Sequence, residues 1–175
     1  MSEFAVATDH DTVRIERIVP GPIERVWSYL TESELRRQWL ASGPMDLRAG
    51  GAFKLHFQHD ELSAVVETIP QQYESLRDGH DMTGRITRCD PPRLLSCSWG
   101  DSREESEVTF ELAPLGEDVR LIVTHRRLAT RDDMISVAGG WHTHLDILAD
   151  RLHGREPAGF WATHTRAEDE YRHRL

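Results

Sequence analysis

Hydrophobic and polar residues alternate along several stretches of the chain, and this period of two predicts β-strands. The first such stretch is residues 12–19. A glycine turn at 49–51 then joins Met45 and Leu47 to a second alternating stretch, 53–57, which predicts a hairpin. Four further strands follow one another with short turns, which predicts an antiparallel meander, at residues 84–89, 94–99, 107–112 and 119–125.

Two short helices are predicted between the first strand and the hairpin. Residues 23–30 place their apolar side chains at helical spacing directly after the proline-rich stretch 20–22, and proline is favoured in the first turn of a helix. Thr31 to Glu34 has the spacing of a capping box. A second helix is therefore predicted to begin there, with Trp39 on its apolar face.

A long helix is predicted to begin near Gly139-Gly140 and to stop at Gly154, because glycine is common just beyond a helix end. With about 100° of rotation per residue, four apolar residues fall within a sector of roughly 60°. We interpret them as the core-facing stripe: Trp141, Leu145, Leu148 and Leu152. A tail helix is predicted within residues 155–175, and its apolar edge is expected to dock on the domain or to mediate a homodimer.

The order of these elements predicts one α+β domain, in which a curved antiparallel sheet packs against the long helix. The domain is expected to span residues 12–154, after a polar leader at 1–11 and before the tail at 155–175. Residues 58–82 are polar and acidic and lack a clear period, so they are predicted to form an insertion or a lid.

Charge and composition exclude two classes of partner. The formal net charge of −9 repels phosphate backbones, so no nucleic-acid partner is expected. No stretch approaches the roughly 20 apolar residues that span a bilayer, and no signal peptide precedes the domain, so a soluble cytoplasmic protein is expected. Cys97 is predicted to lie opposite Ile86, away from Cys89, which favours two free thiols over a disulfide.

Together these segments resemble a known family. The stretches RIERIVPGPIERVWSYLTESELRRQWL, LRAGGAFKLHF, GRITRCDPPRLLSCSW, SEVTFEL and GGWHTHLDILADRL are similar to the SRPBCC, or START-like, superfamily. Within it they resemble the branch named after the activator of the heat-shock-90 ATPase. The resemblance covers residues 12–154 in family order, and the tail FWATHTRAEDEY is similar to one bacterial subgroup.

The resemblance implies the helix-grip fold, in which a curved antiparallel sheet wraps a long C-terminal helix and leaves a largely apolar cavity. Such cavities in the superfamily hold lipids, sterols, polyketides or other hydrophobic small molecules. The named activator works together with a separate N-terminal domain. This chain is expected to lack that domain, so chaperone activation is not the expected role.

The sequence carries no common catalytic motif: G-x-S-x-G, H-E-x-x-H, the phosphate-binding loop and C-x-x-C are all absent. No catalytic residue and no cofactor are predicted. His142 and Asp146 have the spacing of a metal-ligand pair, but with His153 they are predicted to form a solvated helix face. Residues 59–61 and 80–81 also combine histidine with acids, a composition typical of polar loops, and no metal site is predicted.

Nine residues are predicted to surround the cavity. Aromatic strand residues should face the core-facing stripe of the long helix, His125 shares the inward parity of its strand, and His144 lies at the edge of the stripe. These residues are Phe53, Phe57, Trp99, Phe110, His125, Trp141, His144, Leu145 and Leu148.

The leading hypothesis is a binding protein for a hydrophobic or amphipathic small molecule, which His144 and His125 orient. One alternative is a cyclase- or hydrolase-like enzyme, which requires a carboxylate or second polar group beside one of these histidines in a closed pocket. The other is a protein-interaction module, which requires an exposed apolar patch.

Overall fold

The computed structural model describes residues 3–100 and 106–175. Within these residues seven strands form one sheet, and four α-helices pack around it. The strands are β1 (Val6–Asp9), β2 (Thr12–Pro20), β3 (Ala52–Phe57), β4 (His80–Asp90), β5 (Leu94–Trp99), β6 (Ser106–Leu115) and β7 (Asp118–Arg126). The helices are α1 (Ile23–Thr31), α2 (Ser33–Arg36), α3 (Arg131–Leu152) and α4 (Phe160–Arg174).

The sheet is antiparallel throughout, in the order β1-β2-β7-β6-β5-β4-β3, and it curves around α3. The predicted α+β helix-grip fold is therefore confirmed. Alternating strand residues are buried as predicted, including Val119, Leu121 and Val123 of β7, and they meet the apolar stripe of α3. Cys97 lies opposite Ile86, and both cysteines are free thiols. No helix among the described residues is long and apolar enough to cross a bilayer.

The long helix α3 begins about two turns before the predicted start. Its N-terminus is a capping box, in which the Thr130 hydroxyl accepts the Asp133 backbone N–H and the Asp133 carboxylate accepts that of Thr130. Gly139 and Gly140 lie inside the helix. A Cβ at Gly139 would lie 2.8 Å from Cγ of Glu168, so this glycine allows α4 to approach α3. The C-terminus agrees with the prediction, since Gly154 follows the helix with φ +70°.

The N-terminal region differs from the prediction in two local details. Residues of the predicted leader form β1, an edge strand whose side chains are all exposed and therefore carry no apolar alternation. The predicted capping box at Thr31 is not formed, because Thr31 ends α1 and its hydroxyl donates to the Trp27 carbonyl. Trp39 lies beyond α2, where its indole N–H donates to the Tyr29 carbonyl.

Residues 58–79, between β3 and β4, form what we call the cap segment. It contains two short 3₁₀ helices, His59–Glu61 and Gln71–Leu76, and it packs against α4. The Glu67 carboxylate accepts the backbone N–H groups of Trp161 and Ala162, both at 2.8 Å, and so caps the N-terminus of α4. The cap segment and α4 are thereby joined over the long helix.

Candidate functional site

A cavity of about 230 Å³ lies between the sheet, α3, the cap segment and α4. Trp99 and Trp141 form its floor, with ring centroids 5.0 Å apart. The sheet side is completed by Phe57, whose ring stacks on His80 at 4.7 Å. The cap segment contributes Tyr73, Leu76 and His59, and α4 contributes Phe160, Trp161 and His164. The cavity is thus mostly aromatic, with several imidazole rings in its wall.

Four of the nine residues predicted for the cavity line it: Phe57, Trp99, Trp141 and His144. The other five lie in the core behind this wall. Phe110 packs edge-on against Trp141 at 5.5 Å, so the indole ring separates it from the cavity. Phe53, Leu145 and Leu148 are buried in the core cluster. Periodicity places these residues on the inner face, but it does not decide which of them border the empty volume.

His125 is the fifth of these core residues, and both of its ring nitrogens are used by the protein. The Trp141 indole N–H donates to Nδ1 at 3.0 Å. Because an indole N–H can only donate, the proton of His125 is on Nε2, which meets the Ser106 hydroxyl at 2.7 Å. Burial lowers the pKa of His125 to about 4. His125 therefore positions the Trp141 ring and does not border the cavity.

His144 borders the cavity as predicted, and its orientation is fixed by one hydrogen bond. Nδ1 lies 2.7 Å from the backbone carbonyl of Trp39. A carbonyl can only accept, so Nδ1 carries the proton and donates. Burial, with a smaller contribution from the neighbouring His59, lowers the pKa of His144 to about 3. The ring is therefore neutral near pH 7, with its lone pair on Nε2.

Three histidines of the wall were not predicted: His59, His80 and His164. The His59 ring centroid is 5.8 Å from those of both His80 and His144. Burial lowers the pKa of His59 to about 4. The sequence contains a signal for two of these histidines. His80 shares the strand parity of Met82, and His164 lies on the predicted apolar edge of the tail helix. His59 lies in a segment without periodicity.

The predicted solvation of His142 is wrong. Its ring is 6% exposed and lies 5.0 Å from the ring of Phe4, and its Nδ1 is 2.9 Å from the Tyr171 hydroxyl. The N-terminal residues and α4 cover this face of α3. The Arg17 guanidinium donates two hydrogen bonds to Asp146, which ties that carboxylate to a cation instead of leaving it for a metal.

Metal-ligand distances occur in one place within the described ranges, the exposed turn of Asp9, His10 and Asp11. The histidines of the cavity do not converge in this way. The Glu168 carboxylate lies beside the cavity wall, where it accepts the Tyr73 hydroxyl at 2.6 Å and lies 3.8 Å from Nε2 of His164. Burial and this carboxylate raise the pKa of Tyr73 to about 12.

Comparison with known proteins gave consistent matches. The sequence profile of the family described as Activator of Hsp90 ATPase homolog 1-like protein matches residues 20–153. The solution structure of the protein encoded by gene BPP1335 of Bordetella parapertussis is similar, with 44% identity, a TM-score of 0.83, and coverage of 99% of this chain and 92% of that one. No curated protein gave a significant sequence match.

Two more distant structures share the fold. The crystal structure of CalU16 from Micromonospora echinospora has 23% identity and a TM-score of 0.68, over 93% of this chain and 86% of that one. DynU16, from the dynemicin biosynthetic locus, has 18% identity and a TM-score of 0.67, over 85% of this chain and 49% of that one. At these identities the likeness concerns the fold alone.

Proposed function

The chain belongs to the family of Activator of Hsp90 ATPase homolog 1-like proteins, and from this premise we propose that it binds a hydrophobic or amphipathic small molecule in the cavity. The observation that carries the proposal is the cavity itself, an aromatic-walled space with a few polar groups directed at it. This is the usual character of small-molecule sites.

The size of the cavity favours a small ligand. Its volume of about 230 Å³ lies just below the roughly 300–1,000 Å³ of typical ligand pockets. A molecule with one or two rings fits this space, and the tilted pair of Trp99 and Trp141 offers it both a face and an edge. A sterol or a long acyl chain requires more room than these walls leave.

The cap segment is proposed to act as the lid of this site, as the sequence suggested for residues 58–82, of which residues 80–82 instead belong to β4. His59, Tyr73 and Leu76 border the cavity on the side of the cap segment, and each belongs to one of its 3₁₀ helices. Polar contacts hold the lid down, including the bond from the Tyr73 hydroxyl to Glu168 on α4. Opening the lid therefore requires polar bonds to break as well as aromatic contacts.

An interaction module that docks through an apolar patch has less support. The large apolar side chains that are exposed among the described residues are spread over the strands and loops, and Val65 and Val66 of the cap segment are adjacent. Apart from that pair, these residues are scattered singly, which is normal on protein surfaces. Aromatic surface is instead concentrated in the cavity.

The proposal is tested by adding indene, an apolar two-ring compound, to isotopically labelled protein. The indole N–H signals of Trp99, Trp141 and Trp161 are expected to shift saturably, because these rings line the cavity. The signal of Trp27, which is outside the lining, is expected to stay in place and serves as an internal control.

A blocking variant sharpens this test. Gly140 borders the cavity, and a Cβ there meets no atom within 4 Å, so Gly140→Leu can place its side chain in the empty volume. This variant is expected to lose indene binding, whereas Thr165→Leu on the exposed face of α4 is expected to retain it. Saturable shifts that persist unchanged in Gly140→Leu would place the bound compound elsewhere and refute the proposal.

A further inference from the structure

His144 shows which kind of polar group the cavity can receive. Its Nδ1–H is consumed by the Trp39 carbonyl at 2.7 Å, so the neutral ring presents only an acceptor at Nε2. Among residues 3–100 and 106–175, no group forms a hydrogen bond with this Nε2 atom. His144 is only 6% exposed, and it borders the cavity.

Among the described residues, the remaining wall of the cavity offers no arginine or lysine side chain to an anion. The nearby Glu168 carboxylate already accepts the Tyr73 hydroxyl. A carboxylate on a ligand would lose its hydration without meeting a cation, and its oxygens would face the lone pair of Nε2. The same lone pair disfavours an ether or carbonyl oxygen at this position.

We propose that the ligand is an uncharged ring compound that carries an N–H or O–H group and donates it to Nε2 of His144. This inference rests on the proposed function and deepens it, because it assigns the ligand a hydrogen-bond donor at one defined place. A buried acceptor discriminates against a ligand that cannot donate, since such a ligand removes water from Nε2 and leaves the lone pair without a partner.

The test uses three compounds of nearly the same shape: indole, which has an N–H donor, benzofuran, which has an acceptor oxygen, and indene, which has neither. Their dissociation constants are measured by calorimetry with the full chain. Indole is expected to bind about three- to tenfold more tightly than the other two, the range set by one net hydrogen bond. The ring ¹⁵N resonance of His144 Nε2 is expected to shift with indole and to stay in place with indene.

Two variants test whether the preference for indole depends on His144. His144→Phe is expected to bind all three compounds about equally, while the matched variant His153→Phe, at an exposed position after the same helix, is expected to keep the preference for indole. If His144→Phe fails to fold, the wild-type affinities and the ¹⁵N shift decide.

The outcomes separate the two proposals. Equal binding of the three compounds to the wild-type protein would overturn the donor inference and leave the proposed function standing. Binding of none of them would overturn both. A preference for indole that survives in folded His144→Phe would overturn the assignment to His144.

Discussion

Buried polar side chains in this protein form hydrogen bonds with specific backbone groups, and Arg36 forms four of them. Its side chain is 1% exposed, and its guanidinium donates to the carbonyls of Leu30, Thr31, Ala41 and Gly43. These carbonyls belong to the end of α1 and to the loop after α2. Burial lowers the pKa of Arg36 to about 10, so it remains charged near pH 7.

Replacing Arg36 by Leu is expected to lower the free energy of unfolding by about 3 kcal/mol or more, because four carbonyls lose their donor in a buried position. Urea denaturation measures this loss. The control is Arg37→Leu, which removes the same charge at a position where the side chain is half exposed, and a change below about 1 kcal/mol is expected there. Equal losses in the two variants would contradict the assigned role of Arg36.

At the scale of single residues, the sequence predicts which face a side chain occupies but not its partner. The helical period correctly placed His144 at the edge of the core-facing stripe. It could not show that the Trp39 carbonyl, distant in sequence, would fix the ring proton. The same period placed His142 in solvent, because the residues that cover it, Phe4 and Tyr171, lie near the two ends of the chain.

At the scale of elements, two adjacent glycines of α3, Gly139 and Gly140, allow a matched comparison. A Cβ would meet α4 only at Gly139. Replacing a glycine inside a helix by alanine stabilises by about 0.5–1 kcal/mol when the new methyl group has room. Gly140→Ala is expected to show this gain, since a Cβ there meets nothing within 4 Å. At Gly139 a Cβ would lie 2.8 Å from Cγ of Glu168, so Gly139→Ala is expected to be at least about 1 kcal/mol less stable than Gly140→Ala.

Thermal or urea unfolding of the two variants checks this expectation. A second readout is the Tyr73–Glu168 hydrogen bond, which is expected to weaken in Gly139→Ala because Glu168 must move. Equal stability of the two variants would show that Glu168 adjusts freely and that the close approach of α4 does not require a glycine.

Strands were predicted more accurately than helix boundaries, for a physical reason. A strand with one buried face repeats every two residues, and this repeat marks both its existence and its register. The start of α3 was missed because glycine was interpreted as a boundary, whereas the boundary is set by the Thr130–Asp133 capping box. The cap segment could not be predicted in detail, since its 3₁₀ helices are held by contacts with α4 instead of by their own pattern.

For the whole molecule, the buried histidines predict a loss of stability in mild acid. The pKa is lowered to about 4 in His59, about 4 in His125 and about 3 in His144. In the unfolded chain these groups have pKa values near 6.5. Between about pH 6.5 and about pH 4 the unfolded state therefore binds more protons, and the free energy of unfolding falls as the pH falls, by up to about 1.4 kcal/mol per pH unit for each histidine.

Urea denaturation at several pH values measures this slope. His144→Gln removes one titrating group and is expected to reduce the slope by up to one proton. Stability that stays constant from about pH 6.5 to about pH 4 would contradict the neutral burial of these rings.

The global architecture could be predicted from the sequence, but the candidate site could be predicted only in part. The alternating strands and the apolar stripe of α3 sufficed to predict a sheet around a helix. Six of the sixteen residues that line the cavity, however, come from the cap segment and α4, whose aromatic residues meet only in three dimensions. No local period relates His59 to Phe160, although their ring centroids lie 4.6 Å apart.

The two hydrogen bonds that the Glu67 carboxylate accepts bear on the rate at which the proposed ligand would leave the cavity. If the proposed ligand enters between the cap segment and α4, these two walls must separate together, because this carboxylate holds the cap segment to the first turn of α4. We expect Glu67→Ala to accelerate release of bound indene in NMR line-shape measurements with little change in affinity, and the exposed Glu74→Ala to leave the release rate unchanged. An unchanged release rate in Glu67→Ala would instead mean another exit. On the proposed function, residence time and affinity are thus expected to depend on different residues, so that each can change without the other.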